Sequence, residues 1–251
     1  MAKRVVVKIG SSLLSKENGA LAYDKLTSHV RALSEFAAAG YEVVLVSSGA
    51  IAAGFGILGF QHRPETVAGL QASAAIGQGL LMHAYRETFN ECHREVAQLL
   101  LTRNDFARRE SYRNVLNAIE MLLEKGVVPI INENDTVTLR QHGFGDNDML
   151  SALVSALVHA DMLCILTDAK GVFDKDPKRF DDAKVLRHIP EVTEKLLEDV
   201  DTTGSKLGTG GMRAKLHAAK NALRMGVPVF IGSGIGVEGK RLVAIVEGQD
   251  N

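Results

Sequence analysis

Two short clusters of acidic and amide residues carry most of the chemistry that this sequence offers. Residues 132–135 (Asn-Glu-Asn-Asp) follow an apolar run at 127–131, and residues 145–148 (Gly-Asp-Asn-Asp) precede an apolar stretch at 149–157. The first run is typical of a buried strand and the second of a buried helix. Carboxylates and carboxamides at a strand end and at a helix start lie where α/β sheets bind ligands. Either cluster alone also fits turns and helix N-caps, whereas two clusters that flank one short loop favour a ligand site.

Three loops rich in glycine, serine and threonine are placed to bind an anionic group. Lys8 lies in the first apolar run just before Gly10, residues 47–50 (Ser-Ser-Gly-Ala) end the second, and residues 208–212 (Gly-Thr-Gly-Gly-Met) lead towards Lys215. Backbone N–H groups in such loops and at helix N-termini bind phosphate or carboxylate oxygens, although each loop alone also fits an ordinary tight turn. An unpaired ammonium group is costly to bury, so Lys8 requires an anion. Either a phosphate group of a ligand or the carboxylate of Asp148 would provide this anion.

Other chemistries find little support in the sequence. Two Gly-x-Gly-x-x-Gly matches, at 54–59 and 234–239, are interpreted as chance, because neither belongs to a complete strand–helix–strand unit for binding a dinucleotide. The P-loop motif and the motifs of serine and zinc hydrolases are absent, and the eight histidines are interpreted as structural or solvated. Cys92 and Cys164 form no close pair. We therefore predict neither a disulfide framework nor a metal site built from protein side chains.

Composition and charge predict a cytoplasmic protein with one substantial core. The net charge of −1 argues against an extended nucleic-acid surface. No apolar run approaches the roughly 18 residues of a membrane span, and the N-terminal apolar run is too short for a signal peptide. Hydrophobic residues make up 46% of the 251 residues, which is enough to fill a large α/β domain.

Strand-like and helix-like patterns alternate along the chain. Helices are predicted at 23–39, 113–125, 149–157 and 212–225, with a shorter one near 192–197, and a glycine follows three of them as a C-terminal signal. Strands are predicted at 5–9, 42–46, 96–101, 127–131, 163–166 and 227–231. This alternation predicts an α/β protein, a three-layer α/β/α sandwich with a mostly parallel central sheet. We expect a single domain over residues 1–251, with an N-terminal part to about residue 160 and a C-terminal part over about 161–251.

Seven segments, in order along the chain, resemble those of the glutamate 5-kinases within the amino acid kinase family. They are VVKIGSS (6–12), SSGAIAAG (47–54), LLTRNDF (100–106), PIINEND (129–135), GDNDMLSAL (145–153), LTDAKGVF (166–173) and GTGGMRAK (208–215). The resemblance implies the fold shared by amino acid kinases and carbamate kinases. It also implies that ATP, with Mg²⁺, phosphorylates the γ-carboxylate of L-glutamate to give L-glutamyl 5-phosphate, the first step of proline biosynthesis.

The resemblance implies roles for individual residues. Lys8, Asp148 and Lys215 would be catalytic, because the two lysines would neutralise the transferring and leaving groups while Asp148 orients them. Glutamate would contact Ser48, Gly49, Asp135 and Asn147. ATP would contact Lys8, Gly10, Thr167, Asp168, Thr209, Gly210, Gly211, Met212 and Lys215. No general base is expected, since a carboxylate with a pKa of about 4.3 is already ionised at neutral pH.

Two other functions remain open on the sequence. One is another kinase of the family, such as acetylglutamate kinase, and the other is a non-catalytic nucleotide-binding sensor. Asp135 favours glutamate over N-acetylglutamate as the substrate, because N-acetylglutamate has no ammonium group for its carboxylate to bind. The presence of Lys8, Asp148 and Lys215 together argues against a non-catalytic sensor, which has no need of all three.

The resemblance also carries expectations about assembly and regulation. It implies a homo-oligomer, either a dimer or a tetramer. It further implies inhibition by proline, which we expect to overlap the glutamate site beneath a hairpin-like loop at 136–144. Bacterial relatives commonly continue into a C-terminal PUA domain, for which residues 237–251 are too few, so we expect none here.

Overall fold

Six parallel strands form the central sheet of the computed structural model, which describes residues 2–138, 146–175, 177, 180–200 and 211–249. Within these residues the strand order is β3-β4-β2-β1-β5-β6, and the paired strands are all parallel. The strands are β1 (Arg4–Ile9), β2 (Glu42–Ser47), β3 (Val96–Leu101), β4 (Val128–Glu133), β5 (Met162–Thr167) and β6 (Val229–Ser233). Parallel pairing brings the carboxyl ends of the strands to one edge of the sheet, where ligands of α/β proteins bind.

Helices cover both faces of the sheet, which confirms the predicted three-layer α/β/α sandwich. They are α1 (Tyr23–Ala38), α2 (Ala50–Gly54), α3 (Val67–Glu91), α4 (Arg103–Ala107), α5 (Arg109–Glu124), α6 (Asp146–Leu157), α7 (Glu194–Val200), α8 (Met212–Arg224) and α9 (Gly239–Val246). Val5 and Val7 join a core with α1, α3 and α9, whereas Val6 joins a core with α5, α6 and α8. Strand side chains alternate, so Lys8 points to the same face as Val6, towards α6 and α8.

Several element boundaries differ from the predicted ones. The strand predicted at 127–131 is β4, Val128–Glu133, because Asn132 and Glu133 continue its pairing opposite Leu100 and Leu101. The first acid-amide cluster therefore begins inside the strand and not after it. The helix predicted from residue 113 begins at Arg109, and the short helix near 192–197 is α7.

The sequence pattern predicted neither α3 nor α9. The 25 residues of α3 include many Ala, Gly and Ser residues and bury the small residues Gly69, Ser73 and Gly77, so no apolar stripe is visible in the sequence. The small residues allow close packing on α2: a Cβ atom at Gly54 would lie 2.0 Å from the Ser73 carbonyl oxygen. Within the described ranges, no helix is long and apolar enough to cross a membrane.

Candidate active site

Five of the predicted site residues line a cleft at the carboxyl edge of the sheet. The cleft has a volume of about 720 Å³, and its walls include Ser48, Gly49, Asp135, Asn147 and Asp168. These side chains come from the ends of β2, β4 and β5 and from the first turn of α6. The parallel topology thus gathers residues that lie far apart in the sequence.

A buried cluster of two lysines and one aspartate lies at the centre of this edge. Lys8 Nζ, near the end of β1, is 2.6 Å from Asp148 Oδ1, and Lys215 Nζ, in the first turn of α8, is 3.2 Å from Asp148 Oδ2. The three side chains are between 1% and 9% exposed. The sequence left Asp148 and a phosphate open as the anion for Lys8, and in the structure Asp148 pairs with it. The two ammonium groups therefore contact the same carboxylate, one at each of its oxygens.

Burial and the close approach of these charges shift the pKa values of Lys8 and Asp148. Burial lowers the pKa of the Lys8 ammonium group; the carboxylate of Asp148 opposes this shift, and the ammonium group of Lys215 adds to it. Burial alone would raise the pKa of Asp148, but its two lysine neighbours outweigh that effect and hold the pKa below its usual value. An anion bound next to the cluster would favour the protonated form of Lys8.

A chain of amide groups connects the second cluster to the end of β2. Asn147 Nδ2 donates to Ser48 Oγ and to Asn132 Oδ1, both at 3.0 Å. The Glu133 backbone N–H donates to Asn132 Oδ1 at 2.9 Å and to Asn147 Oδ1 at 3.2 Å. Both amino hydrogens of Asn147 are thus used within the protein, and the Ser48 oxygen acts as an acceptor.

Two residues of α3 extend this arrangement, and the sequence analysis missed both. Asn132 Nδ2 donates to Gln78 Oε1 at 2.9 Å. Tyr85 is fully buried, and its hydroxyl lies 2.7 Å from Ser47 Oγ, which in turn donates to the Ser48 carbonyl oxygen at 3.0 Å. Burial raises the pKa of the Tyr85 hydroxyl, so it stays protonated. No motif in the sequence marks either residue, because each lies on a helix that the pattern did not predict.

The turn after β2 depends on a glycine. Gly49 has a φ of 108°, in the left-handed region that favours glycine, and α2 begins at the next residue. A Cβ atom at Gly10, which directly follows the neighbouring strand β1, would lie 3.7 Å from Lys8 Nζ, and the Gly10 N–H donates to the Leu166 carbonyl oxygen at 3.4 Å. Gly10 therefore lies beside the lysine cluster, and Gly49 lines the cleft.

The residues expected to contact ATP lie on the β5 and α8 side of the edge. Thr167 ends β5, and its hydroxyl donates to Asp168 Oδ1 at 3.0 Å. Gly211 is the N-cap of α8, which begins at Met212 and also carries Lys215. Thr209 and Gly210 lie outside the described residues, as does most of the segment predicted to form a hairpin at 136–144. The described start of that segment is a turn at residues 135–137, not a strand.

Sequence comparisons assign the chain to known groups of proteins. A profile described as the amino acid kinase family matches residues 3–233. Glutamate 5-kinase 1 from Bacillus licheniformis is 52% identical over 98% of this chain, and the glutamate 5-kinases from Oceanobacillus iheyensis and Geobacillus kaustophilus are 54% and 52% identical over the same share. This chain spans about two thirds of the length of these relatives, 67%, 66% and 66% respectively.

Comparison with solved structures supports the fold. The UMP kinase from Bacillus anthracis superposes with a TM-score of 0.65 at 17% identity, covering 98% of this chain and 92% of that one. A carbamate kinase from Giardia lamblia bound to AMP-PNP superposes with a TM-score of 0.67 at 19% identity, covering 99% and 96%. At such low identity the likeness concerns the fold alone, and it confirms the expected fold of amino acid kinases and carbamate kinases.

Proposed function

This chain belongs to the amino acid kinase family, and we propose that it transfers the γ-phosphoryl group of ATP to the γ-carboxylate of L-glutamate. The product would be L-glutamyl 5-phosphate, which makes the reaction the first step of proline biosynthesis. The identity of 52–54% to glutamate 5-kinases over 98% of the chain carries this proposal. Its use of ATP and glutamate is consistent with a cytoplasmic enzyme.

The charge of the lysine cluster supports phosphoryl transfer. A carboxylate acceptor is ionised at neutral pH and needs no base, so catalysis depends on positioning and on neutralising negative charge. Lys8 would contact the transferring phosphoryl group and Lys215 the leaving side. Asp148 holds both ammonium groups, at 2.6 and 3.2 Å, and so orients them for these roles.

Glutamate would bind on the side of the cleft formed by β2, β4 and α6. The Ser48 oxygen accepts a hydrogen bond from Asn147, so the Ser48 hydroxyl hydrogen is directed to a different acceptor, and a substrate carboxylate oxygen suits it. In this geometry Asn147 acts on glutamate through Ser48. Asp135 lines the same cleft, and its carboxylate suits the α-ammonium group of glutamate. We assign glutamate binding to the part before about residue 160 and ATP binding to the part after it.

ATP would lie over Thr167, Asp168, Gly211 and Met212, with its phosphates directed to Lys8, Gly10 and Lys215. Mg²⁺ would enter with the nucleotide and neutralise charge on the phosphates. In the described part of the chain, no group of three or more His, Cys, Asp or Glu side chains is arranged to hold a metal ion. We expect Mg²⁺ to be bound mainly by phosphate oxygens and water, as is usual for nucleotide kinases.

Phosphorylation assays with different acceptors test the proposal. ATP consumption is measured with L-glutamate, N-acetylglutamate, aspartate and UMP in parallel, and hydroxylamine traps an acyl phosphate as its hydroxamate. We expect turnover and hydroxamate formation with glutamate, and neither with N-acetylglutamate. Lys8→Ala serves as the control for contaminating kinases. Comparable rates with glutamate and N-acetylglutamate would contradict the assignment, and ATP binding without turnover on any acceptor would favour a nucleotide-binding sensor.

A further inference from the structure

We propose that Gln78 on α3 is a positioning residue that holds the Asn132 amide group in place and, through it, the side chains of Asn147 and Ser48. Gln78 does not line the cleft, and it is half-buried. The inference rests on the proposed function, because it concerns the residues assigned to glutamate. It adds a structural cause for the orientation of those residues.

The backbone of Glu133 sets the direction of the whole chain of amides. A backbone N–H can only donate, and the Glu133 N–H contacts one side-chain atom of Asn132 at 2.9 Å and one of Asn147 at 3.2 Å. Both of those atoms must therefore be amide oxygens. The remaining amide atom of Asn132 is then its amino nitrogen, which faces Gln78 at 2.9 Å.

Gln78 must meet that amino group with an acceptor, and its Oε1 does so. With Asn132 held in this way, its Oδ1 accepts from Asn147 Nδ2 at 3.0 Å. Asn147 then directs its other amino hydrogen to Ser48 Oγ. The result is a relay of hydrogen bonds in which Asn147 donates to Ser48 on one side and to Asn132 on the other, while Asn132 donates to Gln78. The Ser48 hydroxyl thus keeps its hydrogen for the substrate.

The second polar atom of Gln78 argues against a role in packing alone. Gln78 Nε2 is buried and makes no hydrogen bond within the described part of the chain. A buried amide nitrogen without a partner lowers stability, and a methionine would fill similar space without this cost. The feature that Gln78 supplies and a methionine lacks is the acceptor for Asn132.

Substitutions that keep or remove the acceptor test the role of Gln78. Gln78→Met and Gln78→Ala remove it, and we expect each to raise KM for glutamate about five- to tenfold, in line with the loss of one neutral hydrogen bond. Both should change kcat and KM for ATP by less than about twofold. Gln78→Glu keeps an oxygen acceptor and should stay within about threefold of the wild-type KM for glutamate. Gln98→Met, at an exposed position of β3, is the matched control and should be unaffected.

A double-mutant cycle separates the relay from a general structural effect. If Gln78 acts through Asn132, then Gln78→Met should have little further effect on KM in an Asn132→Ala background. Full additivity of the two substitutions would overturn the proposal, as would a wild-type KM in both Gln78→Met and Gln78→Ala. Equal losses in Gln78→Glu and Gln78→Met would also overturn it. The proposed function fails separately, since its failure would appear as wild-type protein that does not phosphorylate glutamate.

Discussion

Replacing Gly77 by alanine tests whether the contact between α2 and α3 holds the substrate side of the site in place. A Cβ atom at Gly77 would lie 1.8 Å from the Ala50 carbonyl oxygen and 2.6 Å from the Gly54 backbone nitrogen. Both neighbours are backbone atoms of α2, so no side-chain rotation relieves the overlap. Alanine at this position must push the two helices apart.

The required displacement follows from the geometry. A carbon atom and a carbonyl oxygen approach no closer than about 3.3 Å without repulsion, so the Ala50 carbonyl must retreat by roughly 1.5 Å. Ala50 is the first residue of α2 and directly follows Gly49 and Ser48. A misplacement of about 1 Å in an active site costs about a hundredfold in rate, and overpacking costs about 1–3 kcal/mol of stability. We therefore expect Gly77→Ala to lower kcat/KM for glutamate about a hundredfold and the free energy of unfolding by about 1–3 kcal/mol.

Gly79 provides a control on the same helix. It is exposed, and a Cβ atom there would have no neighbour within 4 Å. Gly79→Ala should therefore raise the free energy of unfolding by about 0.5–1 kcal/mol, through better helix propensity, and leave the kinetics unchanged. Urea unfolding followed by circular dichroism and steady-state assays with glutamate measure both effects. Wild-type stability and kcat/KM in Gly77→Ala, or equal losses in the two variants, would refute the reasoning.

Three further predictions concern the charged residues of the site. Lys8→Ala and Lys215→Ala should each lower kcat about a hundredfold, a loss of about 3 kcal/mol of transition-state stabilisation, because both charges act on the transition state. A variant in which only KM for ATP rises would identify its lysine as a binding group. Asp148→Asn should lower the free energy of unfolding by about 3–5 kcal/mol near pH 7, because it removes the carboxylate that pairs with the buried ammonium group of Lys8. Burial already lowers the pKa of Lys8 below the ordinary lysine value of 10.5, and between those two pH values the unfolded chain binds more protons than the folded chain. Stability of Asp148→Asn should therefore rise with pH towards 10, and a deficit that is constant with pH in urea titrations would count against this account. Proline should raise the apparent KM for glutamate, and Asp135→Ala should weaken both ligands; proline inhibition without a change in that KM would indicate a regulatory site elsewhere.

The strands and most helices were predictable because their physical signals are local. Six short apolar runs gave the six strands, and the glycines at the ends of α1, α5 and α8 marked where these helices stop. The end of β4 was not predictable from polarity. Asn132 and Glu133 are polar, but their backbones pair with β3 and their side chains are buried. Pairing with a neighbouring strand is a long-range contact that apolar patterning does not report.

The charged centre of the site was predictable on chemical grounds, whereas its supporting residues were not. A lysine at the end of a buried strand needs an anion, which pointed to Asp148 or a phosphate. No comparable argument applies to Gln78, which lies 54 residues from Asn132 in the sequence and carries no charge. Its role depends on the direction of an amide group that only the folded chain defines.

One property of α3 explains why neither this helix nor its residues Gln78 and Tyr85 were predicted from the sequence. The small residues that conceal α3 in the sequence are those that let it approach α2 closely, as the overlap at Gly77 demonstrates. That approach brings the next residue, Gln78, to Asn132, and two turns later it brings Tyr85 to Ser47. The positions 78 and 85 are seven residues apart, so they lie on one side of α3. The substrate side of the site is therefore built on α3, and a change that separates α3 from α2 should disturb Ser48 and Asn147 before it affects the lysine cluster.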